Sequence, residues 1–381
     1  MPRRLGCVLV MVWLSGEVLA ESISPAERRI ESLKKAIDAR PDAWTVYNDL
    51  AMAYARRARE TADPEWYARA EEAIAQSLKL KPENTEAEKA RVWVLLGKHE
   101  FRAALTAATA LNKRIPDDVM VYGFLTDANV ELGNYKEAEQ AAQWMLDLRP
   151  GAVAALTRGA YLREIFGDID GAIDLMKEAY LRTPRNEAEE RAWLLTQLSH
   201  LSLLARRTAD AERMAGEALQ TFPDYHYALA ALASVREAQG KYKEAAELQR
   251  KRFDLAPHPE NLHALAEALA KAGDKDEAEE AYRRFEKLAL AESENVDNAN
   301  RELVSYYAGV GNKPMEALRL ARAELARRRD VFTRAAYAEA LAANGRHGEA
   351  SKELGEALAI GTKDPRLQRL MDSLRKHQQG E

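Results

Sequence analysis

Seven histidines are the residues of this chain best suited to metal binding or proton transfer: His99, His200, His226, His258, His263, His347 and His377. A helical zinc site of the protease type needs two imidazoles four residues apart with a glutamate between them, and thiol-rich sites need paired cysteines. Neither pattern occurs. His258 and His263 are five residues apart, a poor geometry for one face of a helix. Asp168 and Asp170 fall in a predicted turn, where carboxylates commonly cap the following helix. The chain has no Gly-x-x-x-x-Gly-Lys-Ser/Thr loop, no Gly-rich strand-to-helix turn and no Gly-x-Ser-x-Gly elbow. No catalytic residue, metal or cofactor is therefore expected, and the chain is not read as an enzyme.

Recognition is the chemistry that remains. Aromatic and acidic residues recur at steps of three and four, which keep to one side of a helix. The candidate positions are Trp93, Asp127, Tyr161, Trp193, His200, Tyr227, Glu260, His263, Glu267, Glu302, Tyr306 and Glu339, with Phe332 on the same stripe. Aromatic faces offer large contact area at little rotamer cost, and carboxylates among them favour Lys or Arg. The expected partner is a protein or peptide segment carrying apolar and basic side chains. The same aromatics would also fill the space between neighbouring helices, and their spacing alone does not separate the two roles.

The elements that must carry such a stripe are legible. The chain has 381 residues, 47% hydrophobic and 31% charged, with aromatics at 7% and a net charge of -5. Ala, Leu, Glu, Lys and Arg dominate, which is the vocabulary of helices rather than sheets. A mildly acidic chain lacks the basic footprint of a nucleic-acid binder. Pro82, Pro116, Pro150 and Pro184 are each 34 residues apart, as are Pro223 and Pro257. Within each period an apolar-periodic run is broken by a polar corner, as in Glu131 to Gln140, Ala238 to Glu247, Lys271 to Glu280 and Ala343 to Lys352. A period of this size marks a stacked array of helix-turn-helix units, with Pro stopping the second helix of each.

Within the unit from Val119 to Pro150, Tyr122, Leu125, Gly133, Tyr135, Ala138, Ala142 and Met145 are spaced as in the tetratricopeptide repeat, and the chain resembles that family, in its exported bacterial form. The unit from His226 to Pro257 repeats the pattern with Leu229, Leu232, Ala233, Gly240, Tyr242 and Ala245. The resemblance implies an all-α, right-handed superhelical solenoid of about nine units over 41–364, with a capping helix at 25–40 and a second, with a tail, at 365–381. It also implies a concave groove lined by the first helix of each unit. Some members of the family hold a partner's terminal carboxylate with Lys, Asn and Arg. The matching places here offer Asn48, Gly123 and Asp127, so that mode is not expected. About seven extra residues are read in the turn around Arg59 to Asp63 and about five near Arg185 to Glu190, and the pattern is weakest from Lys287 to Asn300.

Residues 1–20 differ from the rest. Arg3 and Arg4 precede an uncharged apolar block from Leu5 to Leu14, and Val18-Leu19-Ala20 precede Glu21, the layout of a secretory signal peptide. Such a block is too short to span a bilayer comfortably. The only cysteine, Cys7, lies inside it, so cleavage would leave no thiol and no transmembrane segment. The expectation is an exported protein, periplasmic or at the cell surface. Its role would be an interaction scaffold or, alternatively, a subunit or assembly factor of an envelope machine for polysaccharide export, outer-membrane assembly or cytochrome maturation.

Overall fold

The computed structural model describes residues 24–295 and 298–379. The segment read as an export signal, and Cys7 with it, lies outside the described residues. Twenty α-helices account for the fold, with no strand among the described residues. A leading helix, α1 (Pro25–Ala39), is followed by α2 (Trp44–Thr61) and α3 (Glu65–Leu80), α4 (Thr85–Gly97) and α5 (Phe101–Arg114), α6 (Val119–Glu131) and α7 (Tyr135–Leu148), and α8 (Val153–Ile165) and α9 (Ile169–Arg182). The pairing continues with α10 (Ala188–Leu204) and α11 (Thr208–Thr221), α12 (His226–Ala238) and α13 (Tyr242–Leu255), and α14 (Pro259–Ala272) and α15 (Lys275–Glu292). Then come α16 (Asn300–Ala308) and α17 (Pro314–Arg327), α18 (Val331–Ala343) and α19 (His347–Leu358), and a closing α20 (Pro365–Gln379). No helix of the described residues is long and apolar enough to cross a membrane.

The corner between paired helices has one hydrogen-bond pattern. At the end of α6, Gly133 adopts φ 75° and its N–H donates to the Val130 carbonyl, while Asn134 N–H donates to Asn129 at 2.8 Å. These two bonds satisfy carbonyls that a helix end otherwise leaves open, and the left-handed residue between them favours glycine. The bond spanning five residues recurs at Asp168 to Arg163, Lys241 to Arg236 and Arg346 to Leu341. It recurs too at Glu100 to Leu95 and Arg207 to Ser202, where His99 (φ 60°) and Arg206 (φ 59°) take the glycine position. Asp168 caps α9 by accepting from Gly171 N at 3.0 Å, the structural task expected of it.

Units pack through small residues on the second helices. Ala138 and Ala245 are completely buried, letting helices approach closely while Phe124, Met145 and Leu229 fill the holes. Beside these pair contacts, α2 touches α4, α4 touches α6, α6 touches α8, and α10 touches α12. The first helices therefore form the inner, shorter side of the coil.

Two irregularities differ from the sequence reading. The extra residues read around Arg59 to Asp63 do not simply widen a turn; α2 is lengthened to 18 residues, against 13 in α4, α6, α8 and α12. Arg57 holds this added turn by pairing with Glu60, and the Thr61 hydroxyl donates to the Arg57 carbonyl at 2.8 Å. Similarly, α10 reaches 17 residues. The weak stretch resolves into a long α15 of 18 residues followed by a short α16 of nine.

The coil is wound tightly enough for its first half to touch its second. Arg329 N–H donates to the Glu131 carbonyl at 3.0 Å, Val331 N–H to the Tyr135 hydroxyl at 2.8 Å, and Arg102 to the Ala326 carbonyl at 3.0 Å. Gly133 lies against the backbone of Arg329 and Gly167 against that of Gly361. Corners of early units thus form a seam with the loops of late ones.

Candidate partner-binding channel

Inside the coil the first helices, with neighbouring second helices and loops, line two adjacent open chambers that share His99 and Arg301 in their walls. The larger, about 1480 Å³, is lined from opposite sides by Met52, Arg56 and Trp93 and by Tyr227, Glu260 and Arg301. The smaller, about 500 Å³, is lined by Phe101, Asp127, Arg158, Tyr161, Arg301 and Phe332.

The structure thus brings Trp93, Tyr227 and Glu260 into one chamber, and Asp127 and Tyr161 into the other. Trp93 meets Phe124 edge-on at 6.2 Å, which fixes its ring. Tyr227 is exposed, beside Tyr225 and His226. Asp127 is engaged within the protein, accepting from Arg158 Nε at 2.8 Å and Nη2 at 2.5 Å. The remaining candidates do not line either chamber. Trp193 packs between two core clusters. His200 pairs with Glu164 at 2.8 Å; burial opposes its charge, but that hydrogen bond and the field of Glu164 prevail and raise its pKa. His263 is a core residue, buried against Tyr282 and Phe285. Tyr306 stacks on Tyr282 at 5.2 Å. Glu339 accepts from Ser305 at 3.2 Å, Glu302 is half-buried, and Glu267 is exposed outside the chambers.

His263 shows why the stripe was too generous. The middle position of the stripe is buried in several units, as at Asn48, Lys89, Gly123, Thr196 and His263, and half-buried in others, as at Thr157, Ala230 and Glu302. Where that position is buried it packs against neighbouring helices and not into the channel, which is lined in part by Arg56, Arg158 and Arg301, residues off the stripe. Nor do the carboxylates Glu260 and Glu302 stand free of cations. The fields of Glu302 and Glu260 act on Arg301, whose pKa is raised although burial opposes its charge.

A bridge that the sequence reading missed crosses the channel. Arg56 pairs with Glu187 at 2.8 Å, and Arg59 pairs with Glu189, which also accepts from the Tyr225 hydroxyl at 2.6 Å. Glu189 is completely buried. Burial opposes the Arg59 charge, but the fields of Glu189 and Tyr225, the hydrogen bond to Glu189 and the field of Glu190 together outweigh it and the guanidinium stays protonated. On the same wall His226 Nε2 lies 3.2 Å from the Arg59 carbonyl, to which its N–H donates, and His258 bonds the Ala62 carbonyl.

His226 gives the bridge a pH dependence. Burial first, then the nearby Arg252 and His258, press its pKa down to about 4, against the opposing carbonyl of Arg59 and field of Glu189. The neutral ring is favoured in the folded state, so its contribution is full above the unfolded value of about 6.5 and is lost as pH falls toward 4. The expected loss is about 3 kcal/mol across that window. Urea titrations of the wild type and His226→Gln should converge on acidification, and parallel curves would show that this ring does not carry the effect.

No group of three or more His, Cys, Asp or Glu that could hold a metal occurs among the described residues. Stacked helix pairs, a repeated corner and an inner channel define a superhelical solenoid of the recognition type. The tetratricopeptide repeat model matches residues 30–87, 89–153, 125–189 and 202–257, more than half of the chain, and the protein belongs to that family. Such repeats generally bind proteins or peptides. No curated protein matches in sequence. Among solved structures, the chain is similar to the Cut9–Hcn1 hetero-tetramer of APC/C, with 14% identity and a TM-score of 0.54 over 91% of this chain and 58% of that one. It is also similar to the human IFIT1 dimer with m7Gppp-AAAA, with 14% identity and a TM-score of 0.56 over 88% and 86%. The chain spans little more than half the length of the first of these, and the likeness in both is one of fold.

Proposed function

We propose that the protein is a non-enzymatic scaffold that holds an extended peptide, or a segment of a partner protein, in its inner channel. The observation that carries this is the chamber of about 1480 Å³ in which Trp93 and Tyr227 are lined up with Glu260. Aromatic walls and a carboxylate suit apolar side chains interspersed with Lys or Arg. The contacts are individually small, so affinity builds over several units. The scaffold works outside the cytoplasm, a reading that rests on Arg3-Arg4 and the apolar block after them.

The test is affinity capture from the extracytoplasmic fraction of the native cell with tagged full-length protein. Wild type should be recovered beginning near Glu21 and should retain a partner that Trp93→Ala with Tyr227→Ala releases, its affinity falling at least about tenfold. Glu260→Lys should weaken the same complex and reduce its salt sensitivity. If folded variants hold that partner as well as wild type, the channel is not the binding site. Bait found only in the cytosol with residues 1–20 intact would remove the compartment from the proposal.

A further inference from the structure

The bridge across the channel has the composition of a docked ligand. The commonest length of a first helix in this array is 13 residues, as in α4 or α12, whereas α2 has 18. Arg56 closes its first thirteen residues and Arg59 lies in the surplus turn, and both reach the opposite wall, where α10 has also been lengthened. That wall is not made by one helix. Glu187 and Glu189 come from the start of α10, Tyr225 and His226 from the start of α12, and His258 caps α14. The two imidazoles meet Arg59 and Ala62 carbonyls, the groups that a helix leaves open at its C-terminal end, where cationic and donor side chains are favoured. The wall therefore reads both the charge of a helix and its end.

We propose that this wall is a docking site for the C-terminal end of a basic helix, filled in cis by α2 until a partner helix with two basic residues three apart displaces it. The proposal rests on the inner face being the partner-binding face. Chemistry sets the class of partner. Glu189 is completely buried, and a buried carboxylate cannot be left without a counter-charge, so whatever replaces Arg59 must supply a cation. Arg56 and Arg59 stand at the helical spacing that puts two side chains on one face. Glu190, in the same turn of α10, lines the chamber and adds a third acid beside the occupied pair. The cis segment competes at the effective concentration of a tethered ligand, so an external helix gains access only when it binds more tightly or when the tether is weakened.

The probe is a capped, fluorescent peptide with the sequence of residues 50–63, titrated into full-length protein. Wild type should bind it weakly. Arg56→Ala with Arg59→Ala should bind it at least tenfold more tightly, adding Glu187→Lys should reverse that gain, and a peptide with Gln for the arginines should not bind. Equal binding by wild type and the folded released variant, or equal binding of the Gln peptide, overturns the proposal. Should the released variant not fold, hydrogen exchange on wild type decides: excess peptide should speed exchange at residues 59–62 and leave α10 protected, and no change there overturns the proposal. Failure of the channel reading is separable, because Trp93→Ala affects a residue that makes no bond in the bridge.

Discussion

Glu189→Ala is expected to destabilise the protein by about 3–5 kcal/mol. The carboxylate is fully buried, takes a 2.6 Å hydrogen bond from Tyr225, and neutralises Arg59. Removing it leaves a phenol without an acceptor and a guanidinium short of its counter-charge, a larger penalty than the net worth of the intact pair. Glu189→Gln keeps an acceptor for Tyr225 and should fall between. Glu190 supplies the control, since it is half-buried and its pKa is raised by burial and by Glu187 and Glu189, against the pull of Arg59 and Arg56. Its replacement by alanine relieves a strained charge and should change stability by less than about 1 kcal/mol. Urea midpoints of the three variants give the comparison. A Glu189→Ala midpoint matching that of Glu190→Ala would mean that the bridge does not hold α2 to α10.

The second large effect separates the seam from the corner. Gly167 and Gly240 occupy the same place in their units with φ of 81° and 74°, so alanine is conformationally strained at both, by about 1–2 kcal/mol. Around Gly240 an added Cβ meets nothing within 4 Å. At Gly167 it would overlap the backbone carbonyl oxygen of Gly361. Gly167→Ala should therefore cost at least about 2 kcal/mol more than Gly240→Ala and expand the particle in small-angle scattering, with helicity retained in both. Equal losses and equal radii would show that the seam is not packed in solution.

Much of the array was legible because its determinants are local. The 34-residue spacing of the prolines, the corner glycines and the buried alanines at Ala138 and Ala245 all act within one unit, and the helices follow from them. Two corners gave no glycine signal, because His99 and Arg206 take the left-handed position. The channel was only partly legible. Counting residues found Trp93, Tyr161 and Tyr227, but it could not tell that His263 sits where one first helix presses on the next. The bridge and the seam were not legible at all. Arg59 and Glu189 are 130 residues apart, and nothing periodic links them; each lies in residues that break the repeat and so looked like loop.

The seam also fixes an order of events in biosynthesis. Tyr135 leaves the ribosome 196 residues ahead of Val331, to which it is bonded in the finished coil. The bridge from α2 to α10 can form once α10 has been made, but the seam can close only when the last units have been made. Contacts between residues so distant in sequence slow folding, because a long loop must be closed before any of them forms. A nascent chain paused before its final units would thus leave the corners after α6 and α8 without the loops they meet in the completed coil.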